Sequence, residues 1–253
     1  MLFLAAWFAP YDPMAQDREH AGNPPSSHHW LGTDDYGRDV FARFCHGGRW
    51  SILSGAVVTC IVLAIGWLVG GVAGYRGGWA DQILMRVTEV FLVLPWLYLL
   101  IALRATLPLD LRPRTAMLLM LLLIAGISWP RPARLVRGLV MSLREQGYVE
   151  AAVGFGVPHW KVFLHHVAPG TFGLLATQAL ILLPGFVLAD VAISFLGLGT
   201  AEPDPSWGAL LIPLKHAWML QQEWWRVLPA LLMLPFFASF AWAANAYGRK
   251  LAR

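Results

Sequence analysis

From residue 51 to residue 246 the sequence is a series of long apolar stretches separated by short polar breaks. Residues 51–74 form the clearest of them, and Gly66, Gly70 and Gly74 recur at every fourth position, which lays a smooth stripe along one helix face for close backbone packing. Residues 83–103 follow, with Arg86 and Glu89 one turn apart near the start and Pro95 in the middle. Residues 115–129 are short for a span, limited by Pro130 and Pro132, and call for a tilt with Arg112 or Arg114 snorkelling outward. Residues 171–198 are long enough to cross but carry Pro184 and Asp190, and residues 227–246 form the last stretch, with Pro229 and Pro235. A span needs roughly 20 apolar residues. The apolar run 1–9 is too short and lacks a basic flank, so it reads as the outer half of a first span whose beginning is missing. The expectation is therefore five complete helical spans after a truncated first.

One polar stretch breaks this pattern differently. Over about 132–155, Leu135, Val136, Leu139, Val140 and Leu143 fall on one side of a 3.6-residue period, opposite Arg134, Arg137, Arg144 and Glu145. Gly156 can take the left-handed conformation that closes a helix, and Pro158 suits the first turn of another running to about residue 167. Helix, tight turn, helix is the predicted outcome. Ala151, Ala152, Gly154 and Gly156 leave little side chain at the corner, and Glu150 is its one fixed charge. A second protein could approach the backbone closely there.

The composition agrees with a bilayer setting. The chain has 253 residues, 57% hydrophobic and 13% charged, with a mean hydropathy of +0.55. Its net charge of +4 is not gathered on one soluble face, so anionic lipid explains it better than nucleic acid does. Among the 13 Trp, several near segment ends (Trp79, Trp129, Trp218, Trp224, Trp225) suit interfacial anchors. Cys45 and Cys60 are the only cysteines, and Cys60 sits in an apolar segment, which argues against a disulfide framework. Residues 10–50 form a polar, turn-rich segment in which Asp35, Asp39 and Arg43, four apart, can pair along one face of a surface helix or act in substrate passage. Residues 247–253 make a short basic tail.

Three stretches carry a family likeness. The first is Glu150-Ala151-Ala152, then Gly156, then Val167-Ala168-Pro169; the second is His29-Trp30-Leu31-Gly32-Thr33-Asp34-Asp35-Tyr36-Gly37-Arg38-Asp39-Val40; the third runs from Ser194 to Trp207-Gly208. Together and in this order they resemble the second, "C" type, permease of dipeptide, oligopeptide and nickel ABC importers. Ala168 departs from the Leu usual before the Pro, which touches one packing contact. The resemblance implies an all-α, polytopic transmembrane bundle of the type I ABC-importer permease fold, with residues 51–246 as the permease domain and 130–170 as a cytoplasmic coupling loop. It implies a prokaryotic inner-membrane location. It also implies a second homologous permease, one or two ATPase subunits and an extracytoplasmic solute-binding protein as partners, with membrane lipid around the chain. Glu150, Ala151, Ala152 and Gly156 are then the ATPase-docking residues. The basic residues support this orientation weakly, through the local density around 131–161.

The chemistry of an enzyme is missing from the sequence. No G-x-x-x-x-G-K-[ST] occurs, so the expectation is that this chain binds no cofactor and that a partner subunit uses the ATP. There is no His-Glu-x-x-His, no G-x-S-x-G and no Cys pair at zinc spacing, and no metal ligand set is expected. His28 and His29, adjacent and without spaced companions, do not make one. His159, His165 and His166 fit lipid headgroups or a partner better than a metal. Asp190, Glu89 and Arg86 are the candidates for a pathway, with Gly66 and Gly70 as helix-packing positions. For Arg86 and Glu89 a structural pair near the interface is the other reading, and Asp190 should be paired or face a cavity. A membrane enzyme built on Asp190, Glu89 and the histidines, and a non-transporting scaffold, are the alternatives to a transport subunit.

Overall fold

The computed structural model describes residues 11–106, 113–197, 204–216 and 222–251. The expected first half-span at 1–9 and the residues Arg112, Pro203 and Trp218 lie outside them. The main helices are α1 (Val40–Arg76), α2 (Gly78–Val93), α3 (Trp96–Thr106), α4 (Pro113–Ser128), α5 (Pro130–Arg144), α6 (Gly147–Gly154), α7 (His159–Phe195), α8 (Trp207–Leu211) and α9 (Leu228–Leu251). The all-α expectation is met. Among the described residues, 4 helical stretches are long and apolar enough to cross a membrane: Val40–Arg76, Leu119–Arg144, His159–Phe195 and Trp224–Arg249.

Several boundaries differ from expectation, and each difference has a local cause. α1 begins eleven residues before the apolar run, because Asp39 caps it: its Oδ1 accepts from the Ala42 N–H at 2.6 Å. The expected span 83–103 is two helices, α2 and α3, parted at Leu94 and Pro95, where the residue before a proline leaves the helical region. Pro130 does not limit the stretch that begins at 115. It takes the first position of α5 immediately after Trp129, a place where a proline costs no hydrogen bond. The amphipathic run 132–155 is interrupted at Glu145 and Gln146, where Gln146 adopts an extended conformation before α6. Conversely, the short helix after Pro158 and the span from 171 are one helix, α7. Pro169 is absorbed by a π-helical segment at Phe163–Val167, whose widened turn relieves the crowding of the proline ring against the His165 carbonyl. The described part of the basic tail is also helical, as α9 runs to Leu251.

The described chain divides into two compact units, one of residues 1–56, 104–119 and 183–242, the other of 57–103, 120–182 and 243–253. In the first, Leu31, Phe44, Cys45, Val187, Val191 and Trp207 form a common core. Trp207 is fully buried, its indole N–H donating to the Phe44 carbonyl at 3.0 Å and its ring stacked on Phe44. Gly47 and Gly48 make room for it: a Cβ on Gly48 would lie 2.7 Å from the indole Cζ2. The segment 11–39 folds onto this core as turns and one short 3-10 helix, Arg18–His20, rather than as an α-helix. Asp35, Asp39 and Arg43 therefore do not share a helix face; Asp35 pairs with Arg226 at 2.5 Å, Asp39 with His29 at 2.8 Å, and buried Arg43 lies 3.7 Å from Asp34. Loop geometry, which periodicity does not encode, chose those partners.

In the second unit the glycine stripe of α1 meets α5. A Cβ on Gly66 would stand 2.8 Å from the Pro132 Cβ, one on Gly74 2.7 Å from the Arg137 carbonyl oxygen, and one on Gly70 would press on the Ala133 carbonyl. α2 is tied to α5 by the paired hydrogen bonds of Arg137 to the Asp81 carboxylate. That guanidinium holds the Asp81 carboxyl below its ordinary range. Trp129, expected as an interfacial anchor, is instead buried beside Phe91 at 5.5 Å between ring centroids, whereas Trp79 and Trp224 are exposed as anchors would be.

Candidate functional site

α6 and the first turn of α7 make a corner, and its geometry follows from the sequence step by step. α6 ends in a Schellman arrangement: the Val157 N–H donates to the Ala152 carbonyl at 3.2 Å and the Gly156 N–H to the Val153 carbonyl at 2.9 Å. The arrangement needs a left-handed residue, and Gly156 supplies it with φ +78°. Pro158 is the N-cap of α7, one position before the first turn in which it was expected. Val149 and Ala152 point inward and join Val136, Val140, Val162 and Val167 in a buried cluster, so the corner is mounted on a rigid base.

The outward face carries what is left. Glu150, Ala151, Gly154 and Gly156 are exposed. Ala152 is not; it belongs to the base. The corner is also less bare than the run of small residues implied, because Phe155 stands out 88% exposed and Trp160 61% exposed. Large apolar side chains held in the open at this level mark a surface that another molecule covers. Phe155 was visible in the sequence, sitting between two glycines, but only the turn at Gly156 determines that it faces outward. Glu150 lines a cavity of about 410 Å³ with Tyr75, Arg76, Arg144, Val153 and His159. Arg144 also donates to the Tyr75 carbonyl at 3.0 Å, closing off the end of α1.

The other candidates do not line the cavity at Glu150. Arg86 and Glu89 form a pair at 3.1 Å, with Arg134 3.7 Å from the same carboxylate, and Arg86 is 83% exposed. Asp190 belongs to the first compact unit, half-buried on α7 beside buried Ser51 of α1. Gly66 and Gly70 are spent on the contact with α5. Among the described residues no group of His, Cys, Asp or Glu is arranged to hold a metal ion.

Four helices long and apolar enough to cross a membrane define a multi-pass membrane protein. Residues 50–253 match the family described as the binding-protein-dependent transport system inner membrane component, and the chain belongs to that family. It is 34% identical over 230 residues to the dipeptide transport system permease protein DppC of Bacillus subtilis, covering 90% of this chain and 69% of that protein. It is 36% identical over 232 residues to the oligopeptide transport system permease protein OppC of Haemophilus influenzae, covering 91% and 72%. The glutathione transport system permease protein GsiD of Pectobacterium atrosepticum is 35% identical over 210 residues, covering 83% and 68%. The chain is thus an inner-membrane permease subunit of an ABC importer, not an enzyme, and works with an ATPase and a binding protein.

Proposed function

We propose that this subunit forms half of the pathway by which a peptide, or a solute of similar size, enters the cell after delivery by its binding protein. The other half would come from a second, homologous permease. One or two separate ATPase subunits would bind and use the ATP, and this chain would bind no cofactor. The peptide class is supported by the permeases it resembles, which serve dipeptide, oligopeptide and glutathione systems. The corner at 147–162 is the proposed ATPase-docking surface, on the cytoplasmic side. The observation that carries this is Phe155 and Glu150 standing exposed on a helix whose other face is locked into a buried core.

Substitutions at the corner test it. Removing one partner of a charged pair in such a contact costs about 2–5 kcal/mol, so Glu150→Lys should weaken docking by more than about tenfold. Gly156→Asp acts through the backbone: no atom lies within 4 Å of its Cβ position, but a left-handed φ costs a side chain about 1 kcal/mol or more, and the carboxylate would stand in the contact. Both variants should insert in the membrane, lose co-purification with the ATPase and lose ATP-driven uptake. A variant that kept co-purification and uptake would remove the corner from the mechanism.

A further inference from the structure

The end of α1 and the start of α7 enclose a groove beside the proposed docking corner, with which it shares His159 and Trp160. It has a volume of about 600 Å³ and is lined by Gly71, Val72, Arg76, His159, Trp160 and Phe163, together with Tyr75. Its floor exists because Gly71 has no side chain; a Cβ there would lie 2.9 Å from the Phe163 ring. The polar end is basic. Arg76 is exposed and makes no salt bridge among the described residues, and the Lys161 ammonium lies over the Trp160 ring, 5.4 Å from its centroid. His159 is 3.4 Å from the Tyr75 hydroxyl. None of the lining residues is an acid. In the neighbouring cavity Glu150 is accompanied by both Arg76 and Arg144, so cations exceed acids there too.

The groove's apolar end continues along α1. Ala64, Leu68, Val72 and Arg76 are spaced by four and all are exposed, so one face of the helix is an open apolar strip that ends in a guanidinium. The glycine face that packs on α5 is a different face of the same helix. A strip of this kind inside a spanning helix matches an acyl chain. The aromatic rings of Tyr75 and Trp160 at its end match the level of the headgroups.

We propose that this groove binds one anionic phospholipid, its phosphate held by Arg76 and Lys161 and one acyl chain lying on Val72 and Leu68. A soluble partner would satisfy the cations but could not follow the strip into the bilayer. A neutral lipid would cover the strip but leave the cations without a counter-charge. The inference rests on placing the adjacent corner at the cytoplasmic interface, where anionic headgroups and a basic pocket between spanning helices meet.

The full-length subunit, purified in mild detergent, should be examined by native mass spectrometry with added phosphatidylglycerol or phosphatidylcholine. Phosphatidylglycerol should be retained preferentially, and the double variant Arg76→Gln, Lys161→Gln should lose that preference by roughly 30-fold, the weight of two cations at a membrane surface. Both residues are exposed, so the variant should keep the wild-type insertion and thermal profile. Equal retention of the two lipids by the wild type would overturn the proposal. So would a double variant that kept lipid selectivity but lost the ATPase, since the groove would then belong to the protein partner. Gly156→Asp separates the two readings: it should lose the ATPase and keep the lipid.

Discussion

Gly70 shows how one atom decides whether two helices meet. Its absent Cβ is what allows α1 to approach the Ala133 carbonyl and to come within 3.0 Å, measured from the Cβ position, of the Val136 Cβ. Substituting Gly70→Val should force the helices apart and cost about 1–3 kcal/mol or more by overpacking. Gly138, on α5 with nothing within 4 Å of its Cβ position, is the control. Gly138→Ala should be neutral or stabilising by about 0.5–1 kcal/mol, since alanine loses less freedom in a helix. Thermal unfolding of the two purified variants checks both signs; equal midpoints would show that the glycine stripe is incidental. This contact was legible in the sequence, because a four-residue repeat of glycine has few other uses in an apolar segment. The fit of Gly47 and Gly48 against Trp207 was not, because it joins residues some 160 positions apart that no periodicity relates.

At the scale of elements, the sequence located the apolar segments well and their ends poorly. Hydrophobicity reports burial or lipid contact, whereas helix ends are set by caps and prolines whose effect depends on neighbours. Pro130 opens a helix, Pro95 separates two, and Pro169 is carried inside one by a π-helical turn. The turn at Gly156 was legible because glycine and the proline after it act locally. The link between α2 and α5 through Asp81 and Arg137 could not be read, since it joins positions 56 apart. Its contribution should depend on pH with a definite sign. The Asp81 carboxyl is held below its ordinary value, first by the hydrogen bonds from Arg137 and further by that residue's charge, against the opposing effect of burial. A depressed carboxyl contributes stability at pH values above its unfolded pKa, and the contribution fades as pH falls through the folded one. Wild type should therefore unfold at a higher temperature than Asp81→Asn near neutrality, with the gap closing as pH falls below the ordinary carboxyl range. A gap that stayed constant with pH would mean that packing, not the ion pair, holds α2 to α5.

For the whole molecule, the class of protein followed from composition and three short stretches, while the route taken by the solute did not. A pathway is a property of the assembled spans, and polar residues announce it only when they are buried at a shared depth. Arg86 pairs with Glu89, and Arg134 approaches the same Glu89 carboxylate. Asp190 is different. It is half-buried on an apolar helix, its neighbour is the hydroxyl of Ser51, and no salt bridge compensates it among the described residues. A carboxylate at such a depth costs several kcal/mol unless protein or water meets it, and Pro184, six residues earlier, has already removed one backbone bond from the same helix. If Asp190 serves transport rather than folding, replacing it by an apolar residue should relieve that cost and leave assembly intact. Asp190→Leu should insert and co-purify with the ATPase as the wild type does, yet its uptake in vesicles should fall by at least about tenfold, equivalent to about 1.4 kcal/mol on the transport barrier. Asp190→Asn, which keeps a polar group beside Ser51, should lose less. Normal uptake by the leucine variant would reduce Asp190 to an incidental polar group, and loss of the protein from the membrane would make it a folding residue.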